Sequence, residues 1–228
     1  MRVSSEAFVE PHDRAETDRV RGADLRSMAM RAFDIAFALV ALILTAPLVA
    51  VAIVAIRRES RGPALFRQRR LGKNGRVFEL VKLRGMYIDA DKRFPHLYDY
   101  ASARSKDSAE FYFHPSDDPR VTRVGRILRK YSIDELPNFW NVLRGDMAVV
   151  GPRPEIPELA HMYGDRLSRI LSVRPGVTSP AKAQGRDRLS LEETIASDLE
   201  YVENRSFRLD LRTIVQTARS VTRGRNAF

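Results

Sequence analysis

The sequence predicts a mainly α-helical protein with one small β-hairpin, mounted on an N-terminal re-entrant membrane helix broken at Pro47. Three observations lead there. The stretch Ile35–Ile56 runs 22 residues without a charge, with basic residues at both ends. Two short apolar runs, Ala64–Phe66 and Val77–Val81, are parted by the Gly-containing turn Leu71–Gly75, the pattern of a hairpin. From Val121 onward the apolar residues recur at helical spacing.

At about 1.5 Å per residue, the apolar stretch is long enough to cross a bilayer as one helix. It lies too deep in the chain, and is too long, for a cleavable signal peptide. A buried soluble helix would carry a polar face, and this one has none. Its flanks favour a re-entrant hairpin over a spanning helix, the alternative that the length alone allows. Arg19, Arg21, Arg26 and Arg31 precede it, and Arg57, Arg58, Arg61, Arg67, Arg69 and Arg70 follow. Basic flanks favour the cytoplasmic side, and a single span cannot place both ends there. Pro47 sits mid-run, where a proline removes a helical hydrogen bond and favours a kink. A helix that enters, bends at Ala46-Pro47 and leaves by the same face satisfies both flanks, with the Thr45 hydroxyl available to a freed carbonyl.

Three segments follow from this: a mobile polar tail over 1–24, the membrane helix over 25–57, and a folded domain over 58–228. Residues 57–93 carry twelve Lys/Arg against four acids, net +8, a charge suited to acidic headgroups. Val124, Ile127 and Leu128 form the stripe of a first helix. Ser132-Ile133-Asp134-Glu135 has the spacing of a capping box that would open a second, with Gly145 placed to end it. Gly151–Pro154 reads as a rigid loop, 156–171 as a further helix, and Arg174 to Asp187 as a second loop. Helical patterns close the sequence at Ser190–Val202 and Phe207–Val221. The last is amphipathic, as an interfacial helix would be.

Composition narrows the function. Hydrophobic residues make up 44% and charged ones 30%, which excludes a disordered chain, a collagen-like repeat or a polytopic membrane protein. Without cysteine there is no disulfide framework, no thiolate metal site and no thiol nucleophile. The four histidines stand apart, with no HExxH. A net charge of +10 calls for an anionic partner: nucleic acid, acidic lipid or a phosphorylated substrate.

Asp134 and Glu135 are adjacent acids at a helix start. Either they cap and complement the helix dipole, or an ionised carboxylate there attacks phosphorus or holds Mg²⁺. Arg129 upstream and Arg153 in a Pro-stiffened loop downstream are suited to phosphate oxygens.

Several motifs stand in order around this pair: Arg31-Ala32-Phe33-Asp34, Lys82-Leu83-Arg84-Gly85-Met86, Asp118-Pro119-Arg120-Val121-Thr122, Arg129 through Asn141, Gly145-Asp146-Met147, Val150 through Pro154, and Arg174-Pro175-Gly176-Val177-Thr178. In these the chain resembles the small monotopic bacterial sugar-1-phosphate transferases, which load a polyprenyl phosphate carrier with a phosphosugar. The resemblance runs from about Met30 to Val221. It implies a cytoplasmic catalytic domain with amphipathic interfacial helices, on the cytoplasmic face of the bacterial inner membrane.

It further implies that Asp134 attacks the sugar-proximal phosphate of a UDP-sugar. UMP would leave, and undecaprenyl phosphate would then take the phosphosugar from the aspartate. Asp134 and Glu135 would be catalytic and would share Mg²⁺ with the diphosphate. Arg129, Arg153, Lys82 and Arg84 would bind substrate phosphate, and Arg174, Gly176, Thr178 and Arg186 would line a nucleotide or sugar loop. The partners implied are a UDP-sugar, polyprenyl phosphate and membrane lipids, with no nucleic acid; a homo-oligomer is compatible with such an anchor. Exopolysaccharide biosynthesis is one pathway such an enzyme serves.

The chain departs from the family in places. Ala46-Pro47 replaces a common Ser-Pro. Gly85 stands where Thr or Ser is commoner. Ser179-Pro180-Ala181-Lys182 replaces the frequent Gly-Trp-Ala-Gln. The competing readings are a non-catalytic, membrane-tethered basic protein that binds acidic lipid or nucleic acid, and a glycosyltransferase that releases UDP.

Overall fold

The computed structural model describes residues 11–98, 118–185 and 189–222. Helix α1 (Pro11–Glu59) contains the whole apolar stretch and continues through Pro47 without interruption. It also reaches back into the segment expected to be a mobile tail, of which residues 1–10 lie outside the described ones. The Thr45 hydroxyl donates to the Ala41 carbonyl at 2.7 Å, four residues behind it. The carbonyl that Pro47 deprives of a donor is that of Ile43, so Thr45 serves a different acceptor from the one expected. Such back-bonding still bends helices.

Strands β1 (Leu65–Leu71) and β2 (Val77–Leu83) form the expected antiparallel hairpin, in register from Leu65↔Leu83 to Leu71↔Val77. Asn74 takes the left-handed conformation in its turn, at φ +57°, as asparagine tolerates. Helix α2 (Ala90–Arg93) follows. Met86 bridges to Val121, and the Tyr87 N–H donates to the Arg120 carbonyl at 3.0 Å. The Asp118–Thr122 motif is thereby laid beside Lys82–Met86. Burial pushes the Asp118 carboxyl up, but the bonds and charge of Arg120 outweigh it and hold the group below its usual range. Helix α3 (Arg123–Lys130) is capped by the Thr122 hydroxyl, which accepts from the Gly125 N–H at 2.9 Å.

Helix α4 (Asn138–Arg144) ends at Gly145, at φ +86°, as expected. Two three-residue strands, β3 (Ala148–Val150) and β4 (Gly176–Thr178), pair in parallel. Neither is expected from sequence: β4 falls in the second predicted loop, and β3 lies just before the Gly151–Pro154 loop. The helix expected over 156–171 is instead a 3₁₀ stretch, Pro157–Tyr163, and a short helix α5 (Arg166–Ile170). Gly164 separates them at φ +54°, which an α-helix cannot contain. The second predicted loop is occupied by β4 and helix α6 (Pro180–Gly185). Helices α7 (Leu191–Asn204) and α8 (Phe207–Thr222) match their predicted spans within two residues.

The main core gathers Phe78 and Leu80 of the hairpin, Val142 of α4, Val149 and Val150 of β3, and Tyr201 of α7, with Ala38 of α1. Asn141, fully buried, joins α4 to β2: its side chain accepts from the Val81 N–H at 3.1 Å and donates to the Glu79 carbonyl at 2.7 Å.

Both ends of the apolar helix are fastened to this domain. At one end, Arg31 donates to the Val142 and Leu143 carbonyls at 2.7 and 3.0 Å, and Asp34 accepts from the Val149 N–H at 2.9 Å. At the other, Glu59 accepts from the first two N–H groups of α3, Arg123 and Val124, at 2.8 and 3.0 Å. Ala52 and Ile56 pack there with Leu83 and Leu128. Between the anchors, Leu39, Val40, Ile43, Leu44, Leu48 and Val51 are exposed.

Candidate active site

The acid pair sits on a turn whose shape follows from Pro137. A helix opening at Ser132 would need residue 137 to donate to the Ile133 carbonyl, and proline has no N–H. The chain closes a 3₁₀ turn over Ile133–Glu135 instead, with the Leu136 N–H donating to that carbonyl at 3.2 Å. Ser132 is left-handed, at φ +52°, and its side chain caps nothing. The expected capping box is therefore absent, and the acids precede α4 rather than lying in its first turn. A non-glycine residue at positive φ costs about 1–3 kcal/mol, and here it turns the next residues inward. Asp134 and Glu135 are 9% and 8% exposed.

Glu135 faces a cleft open to solvent on one side. The walls come from several parts of the chain. The hairpin supplies Arg70 and Lys82, α4 supplies Asn138, the Gly151–Pro154 loop supplies Arg153, β4 supplies Gly176 and Thr178, and α6 supplies Lys182. Lys182 donates to the Glu135 carboxylate and, at 3.0 Å, to the Val177 carbonyl. Lys82 lies over the Phe66 ring, 5.5 Å from its centre. Four basic side chains thus surround one cleft-facing carboxylate, a charge balance that favours a polyanion.

The β3–β4 pairing unites two motifs that are distant in sequence. A Cβ on Gly176 would overlap the backbone of Gly151, and one on Gly151 would overlap the Arg174 carbonyl. Only backbone against backbone lets the Arg153 loop and the Thr178 strand close on one cleft. The loop is held from behind. Its Arg153 N–H donates at 3.2 Å to Asp198, a fully buried carboxyl on α7 pushed up to about 7 by burial. Glu155 accepts from the Tyr163 hydroxyl at 3.0 Å and pairs with Arg70 at 3.4 Å.

Of the residues expected at the site, Lys82, Glu135, Arg153, Gly176 and Thr178 line the cleft. Asp134 is buried beside Glu135 but is not in the lining, and Arg129 is half-buried in the last turn of α3. Arg84 lies elsewhere: it donates to the Ser60 and Arg61 carbonyls at 2.9 and 2.6 Å, tying the end of α1 to the hairpin. Arg174 donates to the Gly145 carbonyl at 2.9 Å and lines a separate cavity with Arg31, Asp34 and Arg205. Arg186 lies outside the described residues. Ala46 and Pro47 are exposed on α1 and take no part in the cleft.

Sequence reasoning misses Arg70, Asn138 and Lys182 as site residues. Arg70 is hidden in a basic run, whereas Lys182 carries a signal in its place within a departing motif. Among the described residues no three Asp, Glu, His or Cys side chains gather to hold a metal. Two adjacent carboxylates beside basic side chains do suit Mg²⁺ shared with a substrate's phosphates, an arrangement that needs no all-protein cage.

The sequence profile of the bacterial sugar transferase family matches residues 25–224. The undecaprenyl-phosphate glucose phosphotransferase of Komagataeibacter xylinus is 38% identical over 87% of the chain, which spans 36% of that protein. The UDP-glucose:undecaprenyl-phosphate glucose-1-phosphate transferase of Caulobacter vibrioides is 39% identical over 90% of the chain and 73% of its own length. The exopolysaccharide production protein ExoY of Sinorhizobium fredii is 32% identical over all of the chain and 98% of its own length.

Proposed function

The chain belongs to the bacterial sugar transferase family, and on that premise we propose that it transfers a sugar-1-phosphate from a UDP-sugar to undecaprenyl phosphate, in two steps through Asp134. The observation that carries this reading is the adjacent Asp134-Glu135 pair, whose Glu135 faces a cleft lined by Arg70, Lys82, Arg153 and Lys182, in a domain fastened to an apolar helix. The relatives named for this transfer support it.

In the first step a carboxylate oxygen of Asp134 attacks the sugar-proximal phosphorus. The bond from that phosphorus to the bridging oxygen breaks, and UMP departs with the electron pair. In the second, a phosphate oxygen of the lipid carrier attacks the same phosphorus, and the Asp134 carboxylate is regenerated. One nucleophile thus serves a soluble donor and a lipid acceptor in turn. The cleft's arginines and lysines stabilise charge on the transferring group. Mg²⁺, held by Asp134 and Glu135 together with the diphosphate, would supply further charge neutralisation.

We further propose that α1 enters and leaves the membrane by its cytoplasmic face. Asp34 and Glu59 are 25 residues apart, about 38 Å along a straight helix and more than the roughly 30 Å hydrocarbon core. Both are bonded to the same domain. A spanning helix would drag that domain through the bilayer. A helix bent at Pro47, with its outward apolar side in one leaflet, would not.

The test is nucleotide release in nanodiscs. UMP should appear with undecaprenyl phosphate, Mg²⁺ and the right UDP-sugar, and Asp134→Asn should abolish it while leaving the protein in the membrane. Release of UDP instead would mean glycosyl transfer and a misassigned site.

A further inference from the structure

We infer that Lys182 is a resident cation of the cleft that competes with a divalent ion for Glu135, so that the free enzyme binds metal weakly until a diphosphate arrives to draw the ammonium away. The inference rests on reading the cleft as a phosphosugar-transfer site.

Lys182 and Glu135 form an ion pair in which both side chains are about one-tenth exposed. The lysine is not a stray surface charge. Its backbone N–H donates to the Ser179 hydroxyl at 3.1 Å in the opening turn of α6. Its ammonium has a second fixed acceptor in the Val177 carbonyl. A carboxylate in contact with an ammonium offers a divalent ion little net charge. To coordinate Glu135, the ion must expel a cation from a site where charges interact more strongly than in water. Expelling it unaided would leave a buried charge without its partner.

A diphosphate changes the balance. Lysine is a point charge on a flexible stem, and phosphate oxygens beside Arg153 and Lys82 would give its ammonium somewhere to go. Glu135 is then released to the metal that the diphosphate brings. Metal and donor binding become coupled through one side chain, each strengthening the other.

The test uses the full-length protein with no substrate, titrated with Mn²⁺ and read by electron paramagnetic resonance. Lys182→Gln, which keeps a donor for Val177, should bind Mn²⁺ about tenfold or more tightly than the parent. Lys182→Arg, which keeps the charge, should bind as weakly as the parent. Adding Glu135→Gln to Lys182→Gln should remove the gain, which places the ion on Glu135. Equal Mn²⁺ affinity in the parent and Lys182→Gln would overturn the inference, as would tight binding by Lys182→Arg. Nucleotide release by the parent is scored separately. Turnover with unchanged Mn²⁺ affinity in Lys182→Gln sinks this inference alone. Tightened Mn²⁺ binding in that variant, with no UMP released by the parent from any UDP-sugar, sinks the transfer reading alone.

Discussion

Asp198 shows how one buried carboxyl sets conditions for the whole site. Burial raises its proton affinity, the Arg153 N–H bond and charge oppose this, and the nearby Glu155 adds to it, leaving the group at about 7. Its Oδ1 has no hydrogen-bond partner among the described residues. The unfolded chain would release that proton near pH ~4. Between about pH 4 and 7 the folded state therefore binds more protons, and stability falls as pH rises through that window. Asp198→Asn should remove this slope. Its melting temperature should drop less than the parent's between pH 5 and 8, and parallel melting curves would contradict the assignment. For single residues, sequence reaches as far as residue type allows. The Asp134-Glu135 pair and Arg153 can be picked out because adjacent acids and a Pro-flanked arginine are local features. Arg70 and Asp198 cannot, since their roles exist only once β1 and α7 are packed around the cleft, and Lys182 is marked in sequence only as a departure within its motif.

Among the elements, the hairpin and the three helices α3, α7 and α8 are legible because turn glycines and apolar periodicity are written locally. Strands β3 and β4 are not, because three residues carry no alternation and their ends lie in Gly-Pro motifs that read as loops. The capping box fails for a local reason, Pro137, whose missing N–H outweighs the S-x-x-E spacing. The β3–β4 contact predicts its own test. Gly176→Ala places a methyl group against the Gly151 backbone, where neither strand can yield without moving Arg153 or Thr178. Overpacking of this kind costs about 1–3 kcal/mol, more where backbone must shift. The variant should melt lower and bind a UDP-sugar more weakly. Gly75→Ala serves as the control: its Cβ meets nothing, so only the strain of φ +77° would register. Unimpaired donor binding by Gly176→Ala would show that the strand contact does not shape the cleft.

Across the whole molecule, the proposed reaction brings a soluble nucleotide sugar and a lipid phosphate to one carboxylate pair beside a helix held at both ends. The chain has no cysteine, so single-cysteine variants can map its topology in cells. Ser27→Cys, before the apolar stretch, and Gln216→Cys on α8 should both be shielded from a membrane-impermeant maleimide until the inner membrane is opened. Labelling of residue 27 in intact spheroplasts would mean a spanning helix. The apolar run and its matched basic flanks lead to that same-face expectation from sequence alone, whereas the Asp34 and Glu59 anchors emerge only in the fold. Transfer through Asp134 is probed most closely by a rapid-quench assay with a UDP-sugar, Mg²⁺ and no lipid acceptor. A covalent aspartate intermediate requires a burst of UMP stoichiometric with enzyme and a phosphosugar mass added to the parent protein, both lost in Asp134→Asn. A burst that survives in that variant, or UMP that appears only when undecaprenyl phosphate is present and leaves no adduct, would exclude Asp134 as the nucleophile.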